Sequence, residues 1–166
     1  MGTRSLTVFC DEDHAEIAVL YRQFDGYLLG HGAELKNFLD GFCIVDGYGC
    51  DTPQKSANGM NCLATQAVTH FKDGIGNFYL HAAGSRDMGE EYIYTISCRS
   101  QRIHLRVQAG AVAFFGLPGT KQENMPLIFS GFIEGFVPEV VEGAWREQVQ
   151  DTPNDFLLQQ QKLDRE

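Results

Sequence analysis

Residues 18–39 read AVLYRQFDGYLLGHGAELKNFL, and the first half of the chain is organised around this stretch. It opens with an apolar run that is typical of a strand. It then turns at Asp25-Gly26, where the aspartate side chain supports its own backbone turn. A loop with Gly30 and Gly32 follows and leads into a helix. The stretch therefore predicts a strand, a turn and a helix in close succession.

Alternating polarity predicts strands on both sides of this stretch. The predicted strands are residues 4–10, 17–22, 77–83, 91–99, 103–108 and 111–116. A short polar turn joins the first two strands, and the tight Ser100-Gln101 turn joins the strands on either side of it. Each of these two pairs is predicted to form an antiparallel hairpin.

Helical spacing of apolar residues occurs twice in the chain. Leu35, Phe38 and Leu39 predict a helix that begins at about residue 33. A longer helix is predicted over residues 59–71, with either Asn58 or Ser56 as its N-cap. Its apolar positions are Met60, Leu63, Ala64, Ala67, Val68 and Phe71.

The segment between the two helices, residues 43–58, holds Gly47, Gly49 and Pro53 among polar residues and predicts a long loop. The resulting element order, ββααβββ, predicts an α+β fold in which an antiparallel sheet is covered by two helices. The core contact that we expect is Leu63, Ala67 and Phe71 of the second helix on Val8, Val19 and residues 92–98.

Composition changes after Leu117, which suggests a core domain, 1–117, and a C-terminal extension, 118–166. Residues 127–145 hold too many large apolar side chains for a disordered segment, and their glycines and proline exclude one long helix. We expect the extension to pack on the core or on a neighbouring subunit, and we favour a homodimer. Asn154 is predicted to cap a last helix.

The overall composition excludes several classes of protein. The chain has 166 residues, of which 43% are hydrophobic, enough for one domain with a substantial core. Its net charge of −9 argues against general nucleic-acid binding, which needs a basic surface. No apolar run approaches the roughly 18 residues of a transmembrane helix, and the N-terminus lacks a secretory apolar segment. The cysteine count is odd and no CxxC pair occurs, so we expect reduced thiols in a cytoplasmic protein.

Several short motifs resemble those of a known family. They are Thr3-Arg4-Ser5, Leu20-Tyr21-Arg22-x-x-Asp25-Gly26-Tyr27, Gly30-x-Gly32-x-x-Leu35 and Tyr92-x-Tyr94-x-Ile96. Over about residues 3–107 the chain resembles small uncharacterised proteins of bacteriophages, prophages and some bacteria and archaea. Gln23 stands where that family often has a histidine, and Leu28 where a proline is frequent. The resemblance implies a phage-type accessory protein, in the host cytoplasm if phage-encoded, and gives no established activity.

The candidate ligand-binding residues lie around the glycine loop. They are Arg4, Arg22, Tyr27, Gly30, His31 and Gly32. Glycines before a helix permit close backbone approach, and the first N–H groups of a helix attract anions. The two arginines, on neighbouring strands, are placed to clamp a phosphate or a carboxylate together. The alternatives are a plain strand-to-helix turn and a salt bridge from one arginine to Asp25 or to a loop acid.

The other polar clusters give weaker signals. The hairpin near residue 100 carries four basic residues: Arg99, Arg102, His104 and Arg106. They form either a solvated face or a patch for an acidic partner or an anionic ligand. No recognisable order of nucleophile and base occurs, so catalytic residues remain unidentified. Four possible zinc ligands match no common spacing, and we expect neither metal nor cofactor: Cys43, Cys50, Cys62 and His70.

Two functions are consistent with these features of the sequence. The first is a binding module for a small anionic ligand, such as a nucleotide. The alternative is a protein–protein interaction module that acts on a host or phage protein through its acidic surface and its tail. An enzyme is the least supported reading, membrane association is not expected, and a homo-oligomer is favoured.

Overall fold

The structure is a computed structural model that describes residues 2–110 and 122–151. In chain order its elements are β1 (Ser5–Cys10), β2 (Glu16–Arg22), α1 (Ala33–Leu39), β3 (Cys43–Val45), β4 (Ser56–Asn58), α2 (Gly59–Phe71), β5 (Phe78–Ala82), β6 (Tyr92–Arg99), β7 (Arg102–Ala109), β8 (Leu127–Phe132) and α3 (Pro138–Asp151). A π-helical turn, Leu28–Gly32, leads directly into α1. The strand predicted at 111–116 and the helix predicted from Asn154 lie outside the described residues.

Six strands form one sheet in the order β5-β2-β1-β6-β7-β8. All neighbouring pairs are antiparallel except β1 and β6, the two central strands, which are parallel. With the helices this confirms the predicted α+β class and both predicted hairpins. None of the helices within the described ranges is long and apolar enough to cross a membrane.

Each face of the sheet carries a buried apolar cluster, and this corrects the expected core contact. The helices cover the face that carries Phe9 and Leu20, whereas Val8 and Val19 belong to a separate apolar cluster on the opposite face. Leu63 and Ala67 are buried as expected, but Phe71 is only half-buried. Because every residue of β1 is buried, its alternation of polarity does not reveal which face meets the helices.

The segment predicted as a long loop contains the two short strands β3 and β4. They pair in parallel, with Cys43 opposite Ser56 and Val45 opposite Asn58. Asn58 occupies the N-cap position of α2, one of the two predicted, but its side chain makes no capping hydrogen bond, and Glu12 accepts the one from the Met60 N–H, at 2.9 Å. A carboxylate from the β1–β2 turn thus caps this helix.

The C-terminal part of the described chain adds to the same fold. β8 extends the sheet at β7, with His104 opposite Phe132. α3 begins at Pro138, a residue that suits the first turn of a helix. Phe136 and Trp145 are buried in the main apolar cluster, which also contains Leu35 of α1 and Leu63 of α2. The homodimer stays a prediction.

Candidate functional site

Arg22, at the end of β2, is a buried residue whose donors are occupied. Its Nε donates to the Phe24 carbonyl at 2.5 Å, Nη1 lies 3.0 Å from His31 Nδ1, and the guanidinium forms an ion pair with Glu34 on α1. The Phe78 ring lies 5.1 Å away on one side. Arg22 is only 5% exposed. The geometry is that of a structural salt bridge, with an acid from the helix in place of Asp25.

His31 continues the same network into the interior. Its Nε2 lies 2.7 Å from the Thr7 hydroxyl, and its ring is completely buried. Since a guanidinium can only donate, Nδ1 accepts from Arg22 and Nε2 must carry the ring proton. The imidazole therefore donates to Thr7 and cannot act as the base that would activate this hydroxyl. Burial lowers the pKa of His31 to about 4, the Arg22 charge acts in the same direction, and Glu34 opposes it.

The glycine loop is a closed turn. The N–H groups of Gly30 and Gly32 donate to the Tyr27 carbonyl at 3.1 and 3.2 Å, and that of His31 donates to the Asp25 carbonyl at 2.8 Å. A Cβ at Gly30 would lie 2.5 Å from the Asp25 carbonyl oxygen, so close backbone packing requires glycine there. The Tyr27 side chain is half-exposed beside this turn. The backbone donors expected to cradle an anion are already used.

Arg4 lies apart from this group. Ser5 is directly opposite Arg22, and because neighbouring residues on a strand face opposite sides, Arg4 lies on the other face of the sheet. Its guanidinium packs against Gly89, where an added Cβ would come within 2.8 Å of Cζ. The structure thus brings Arg22 and His31 together and does not bring Arg4 to them. The predicted arginine clamp does not form.

The face of the sheet turned away from the helices carries the basic hairpin. The cross-strand pairs of β6 and β7 place Thr95 opposite Arg106, Ser97 opposite His104 and Arg99 opposite Arg102, so all six side chains share this face.

His104 lies at the centre of the basic hairpin and is almost fully buried. Burial lowers its pKa, and the charges of Arg99, Arg106 and His14 lower it further. Arg102 is engaged elsewhere: its Nη2 lies 3.3 Å from a Glu134 carboxylate oxygen, and its guanidinium stacks 3.9 Å from the Phe132 ring centre. Arg99 and Arg106 are the exposed guanidinium groups that remain on this face.

A cavity of about 470 Å³ opens beside Arg106. Its lining is Arg86, Asp87, Arg106, Gln108, Gln122 and Glu123. Arg86 is fixed in the wall by ion pairing with Glu16, by Gln122 and by a 2.8 Å hydrogen bond to the Ser85 carbonyl. Arg106 makes no ion pair with any acid in the described ranges.

The two glutamines of the cavity wall are fixed as well. Gln108 Nε2 donates to the carbonyls of Met125 and Gln122 at 3.1 and 3.3 Å. Gln122 Nε2 donates back to Gln108 Oε1 at 3.3 Å. The wall is therefore preorganised, and Arg106 projects beside a surface whose own polar groups are mostly satisfied. Such a cation can bind a carboxylate or a phosphate oxygen.

The sequence contained part of this second site. Arg106 was named from the sequence among the basic hairpin residues, but Arg86 lies in the segment before β6 and Gln122 in the turn before β8. The pairing of β7 with β6 and β8 brings these two residues near Arg106. No motif spacing could have signalled the cavity.

A second cavity, of about 540 Å³, lies at the end of the sheet where β3 and β4 sit. Its lining is Glu12, Ile44, Val45, Asp46, Asn58, Gly59, Cys98, Ser100 and Gln101. It carries two acids and no cation, so an anion would be repelled. Over residues 2–110 and 122–151, His, Cys, Asp and Glu side chains form no group of three that could hold a metal ion, and all five cysteines are free thiols.

No protein-family model, no curated protein and no solved structure matches this chain. Comparison with known proteins therefore assigns no function to these sites, and the resemblance to phage proteins stays a prediction.

Proposed function

We propose that the protein is a binding module for a small anionic ligand, which it holds at the cavity beside β7. One observation carries the proposal: Arg106 is exposed in a preorganised cavity and has no acidic partner among the described residues. A guanidinium presents paired N–H donors that match a carboxylate or a phosphate in two parallel hydrogen bonds. An arginine without an internal partner is therefore available for such a ligand.

The surroundings of Arg106 support the proposal. At about 470 Å³ the cavity falls in the range of small-molecule sites, roughly 300–1,000 Å³. Arg99, on the neighbouring strand, adds a second exposed positive charge to the same face. The chain as a whole carries a net charge of −9, so this face is a local exception to an acidic surface. The two exposed guanidinium groups would attract the negatively charged group of a ligand to this face.

The glycine turn is less suited than the cavity to bind an anion. An anion at Arg22 would have to displace Glu34, a carboxylate already held by the same guanidinium. It would also meet backbone N–H groups that donate within the turn. The proposal keeps the class of ligand that the sequence suggested and assigns it to the other face of the sheet.

Isothermal titration calorimetry with butyrate and with inorganic phosphate tests the proposal. Arg106→Gln should weaken binding of the anion that binds wild-type protein by roughly tenfold or more, because a charge-assisted hydrogen bond is lost. Arg102→Gln is the matched control, since it removes an equal charge from the same strand at an ion-paired position. Failure of wild-type protein to bind any carboxylate or phosphate probe, or equal losses in both variants, would refute the proposal.

We further propose that the protein is a cytoplasmic homodimer of phage origin, with the C-terminal extension at the interface. The free cysteines suit a reducing compartment. Val140 on α3 is 67% exposed, and Val137 and Leu127 are about half-exposed, which leaves apolar surface for a second copy. Light scattering on the full chain should give the mass of a dimer, and Val140→Ser should lower it. A monodisperse monomer would exclude the dimer.

A further inference from the structure

The cavity that contains Arg106 also carries two free carboxylates. Asp87 and Glu123 line it, both are exposed, and neither forms an ion pair within the described parts of the chain. The second guanidinium of the lining, Arg86, is already paired with Glu16. The groups left to meet a ligand are therefore one cation and two anions.

This charge pattern selects among anionic ligands. A ligand with several negative charges, such as a nucleotide, would gain from Arg106 but would be repelled by Asp87 and Glu123. Two carboxylates in the lining therefore disfavour a ligand with several negative charges, because like charges repel. A ligand with one negative and one positive group would satisfy both kinds of side chain.

We propose that the ligand is a small zwitterion, whose carboxylate pairs with Arg106 and whose ammonium group lies between Asp87 and Glu123. This inference rests on the proposed function, because it assigns the ligand class of the same cavity. The carboxylate accepts from a guanidinium, and the ammonium group donates to carboxylates, so each end of the ligand finds the partner that its charge requires.

The two glutamines of the lining indicate what lies between the carboxylate and the ammonium group of the ligand. Gln108 and Gln122 hydrogen-bond to each other and to backbone carbonyls, and the Gln122 side-chain oxygen accepts from Arg86. Because these side-chain amides already have hydrogen-bond partners, they need few hydrogen bonds from a ligand. A short aliphatic spacer between the charged groups suits this wall better than a sugar or another hydroxyl-rich unit.

Calorimetry on the full chain with two four-carbon probes separates the possibilities: γ-aminobutyrate carries both charged groups, and butyrate carries only the carboxylate. We expect γ-aminobutyrate to bind wild-type protein roughly tenfold tighter than butyrate, because only the zwitterion uses both charged regions. The double variant Asp87→Asn/Glu123→Gln should bind the zwitterion no better than butyrate. The control, Asp73→Asn/Glu139→Gln, makes the same change in net charge at exposed acids outside the cavity lining and should leave the preference intact.

The results distinguish this inference from the function on which it rests. If butyrate or inorganic phosphate binds as tightly as γ-aminobutyrate and Arg106→Gln weakens that binding, the zwitterion is overturned and the anion-binding module stands. Loss of the preference in the control variant would overturn the zwitterion as well. No binding of γ-aminobutyrate, butyrate or phosphate to wild-type protein would overturn the proposed function itself.

Discussion

Arg22 determines the proton positions of the network around it. A guanidinium never accepts, so His31 Nδ1 must, and the ring proton is left on the Nε2 that faces Thr7. Glu34 completes the series by pairing with the guanidinium at the protein surface. Each polar atom of the network thus depends on its neighbour, and such networks hold a unique arrangement when every member is satisfied.

Replacing Arg22 should therefore destabilise the fold. Arg22→Ala leaves His31 Nδ1 and the Phe24 carbonyl without their donor in a buried setting, and we expect a loss of about 3 kcal/mol in the free energy of unfolding. Arg102→Ala, which removes the exposed pair with Glu134, should cost about 1 kcal/mol or less. Urea denaturation measures both. Similar losses in the two variants would contradict a structural role for Arg22.

The same network predicts how stability depends on pH. His31 has a pKa of about 4 in the folded protein against 6.5 for the free side chain, so between these values the unfolded chain binds more protons. The contribution of His31 to the free energy of unfolding is complete above about pH 6.5. It decreases as the pH falls towards 4, by at most about 1.4 kcal/mol per pH unit. Contacts with His31 and with the Arg22 guanidinium lower the pKa of Glu34 to about 2 from 4.5, so its contribution is lost below about pH 4.5, in the same direction.

Urea denaturation at several pH values checks this dependence. His31→Gln should reduce the slope between about pH 4 and 6.5, because the imidazole whose pKa burial lowers to about 4 is removed. The slope that remains reflects His104, whose pKa burial lowers as well. An unchanged slope in His31→Gln would mean that another group causes the acid sensitivity.

At the scale of elements, the long periodic segments were predictable and the short ones were not. The helix at 59–71 was predicted with its exact limits, because apolar residues recur over three turns. β3 and β4 have three residues each, too few for alternation to show, and they lie among glycines and a proline. The π-helical turn was missed because its glycines are required by close packing on the Asp25 carbonyl and on Tyr94, which no spacing of residues reveals.

The burial pattern of α2 gives a prediction for that element. Leu63→Ala should cost about 3 kcal/mol, since Leu63 is fully buried between the helix and the sheet. Phe71→Ala should cost less than the usual value for a buried phenylalanine, because Phe71 is half-buried at the end of the helix. Thr65→Ala, on the exposed side, should change stability by less than about 0.5 kcal/mol. Thermal and urea denaturation of the three variants measure this order, and its reversal would contradict the packing.

On the scale of the whole molecule, the sequence indicated the fold class but not which residues share a site. Arg4 directly precedes β1 and Arg22 ends β2, yet they fall on opposite faces, because Ser5 pairs with Arg22 and the residue before Ser5 points to the other side. Arg106 and Arg86 line the same cavity because strand pairing brings separate segments of the chain together. Local periodicity carries no information about these contacts.

Truncation tests the role of the C-terminal part. A chain that ends at Leu117 lacks β8, and it also lacks Phe136 and Trp145 from the main apolar cluster. We expect this version to lose cooperative thermal unfolding, because the sheet edge at β7 and the apolar residues beneath would be exposed. Circular dichroism and light scattering check the outcome. A truncated chain as stable as the full one would identify residues 118–166 as a dispensable appendage.

The parallel contact between β1 and β6 has a consequence for the order of folding. It joins residues 87 positions apart, Ser5 with Tyr92 and Phe9 with Ile96, whereas each hairpin on either side closes over a short turn. Local pairs form in microseconds, but a contact across such a span must first overcome the entropy of closing a long loop. The two hairpins are expected to form early and independently, and joining them along the central strands limits the folding rate. Stopped-flow refolding of Val8→Ala should be slowed, and an unchanged rate would place that step elsewhere.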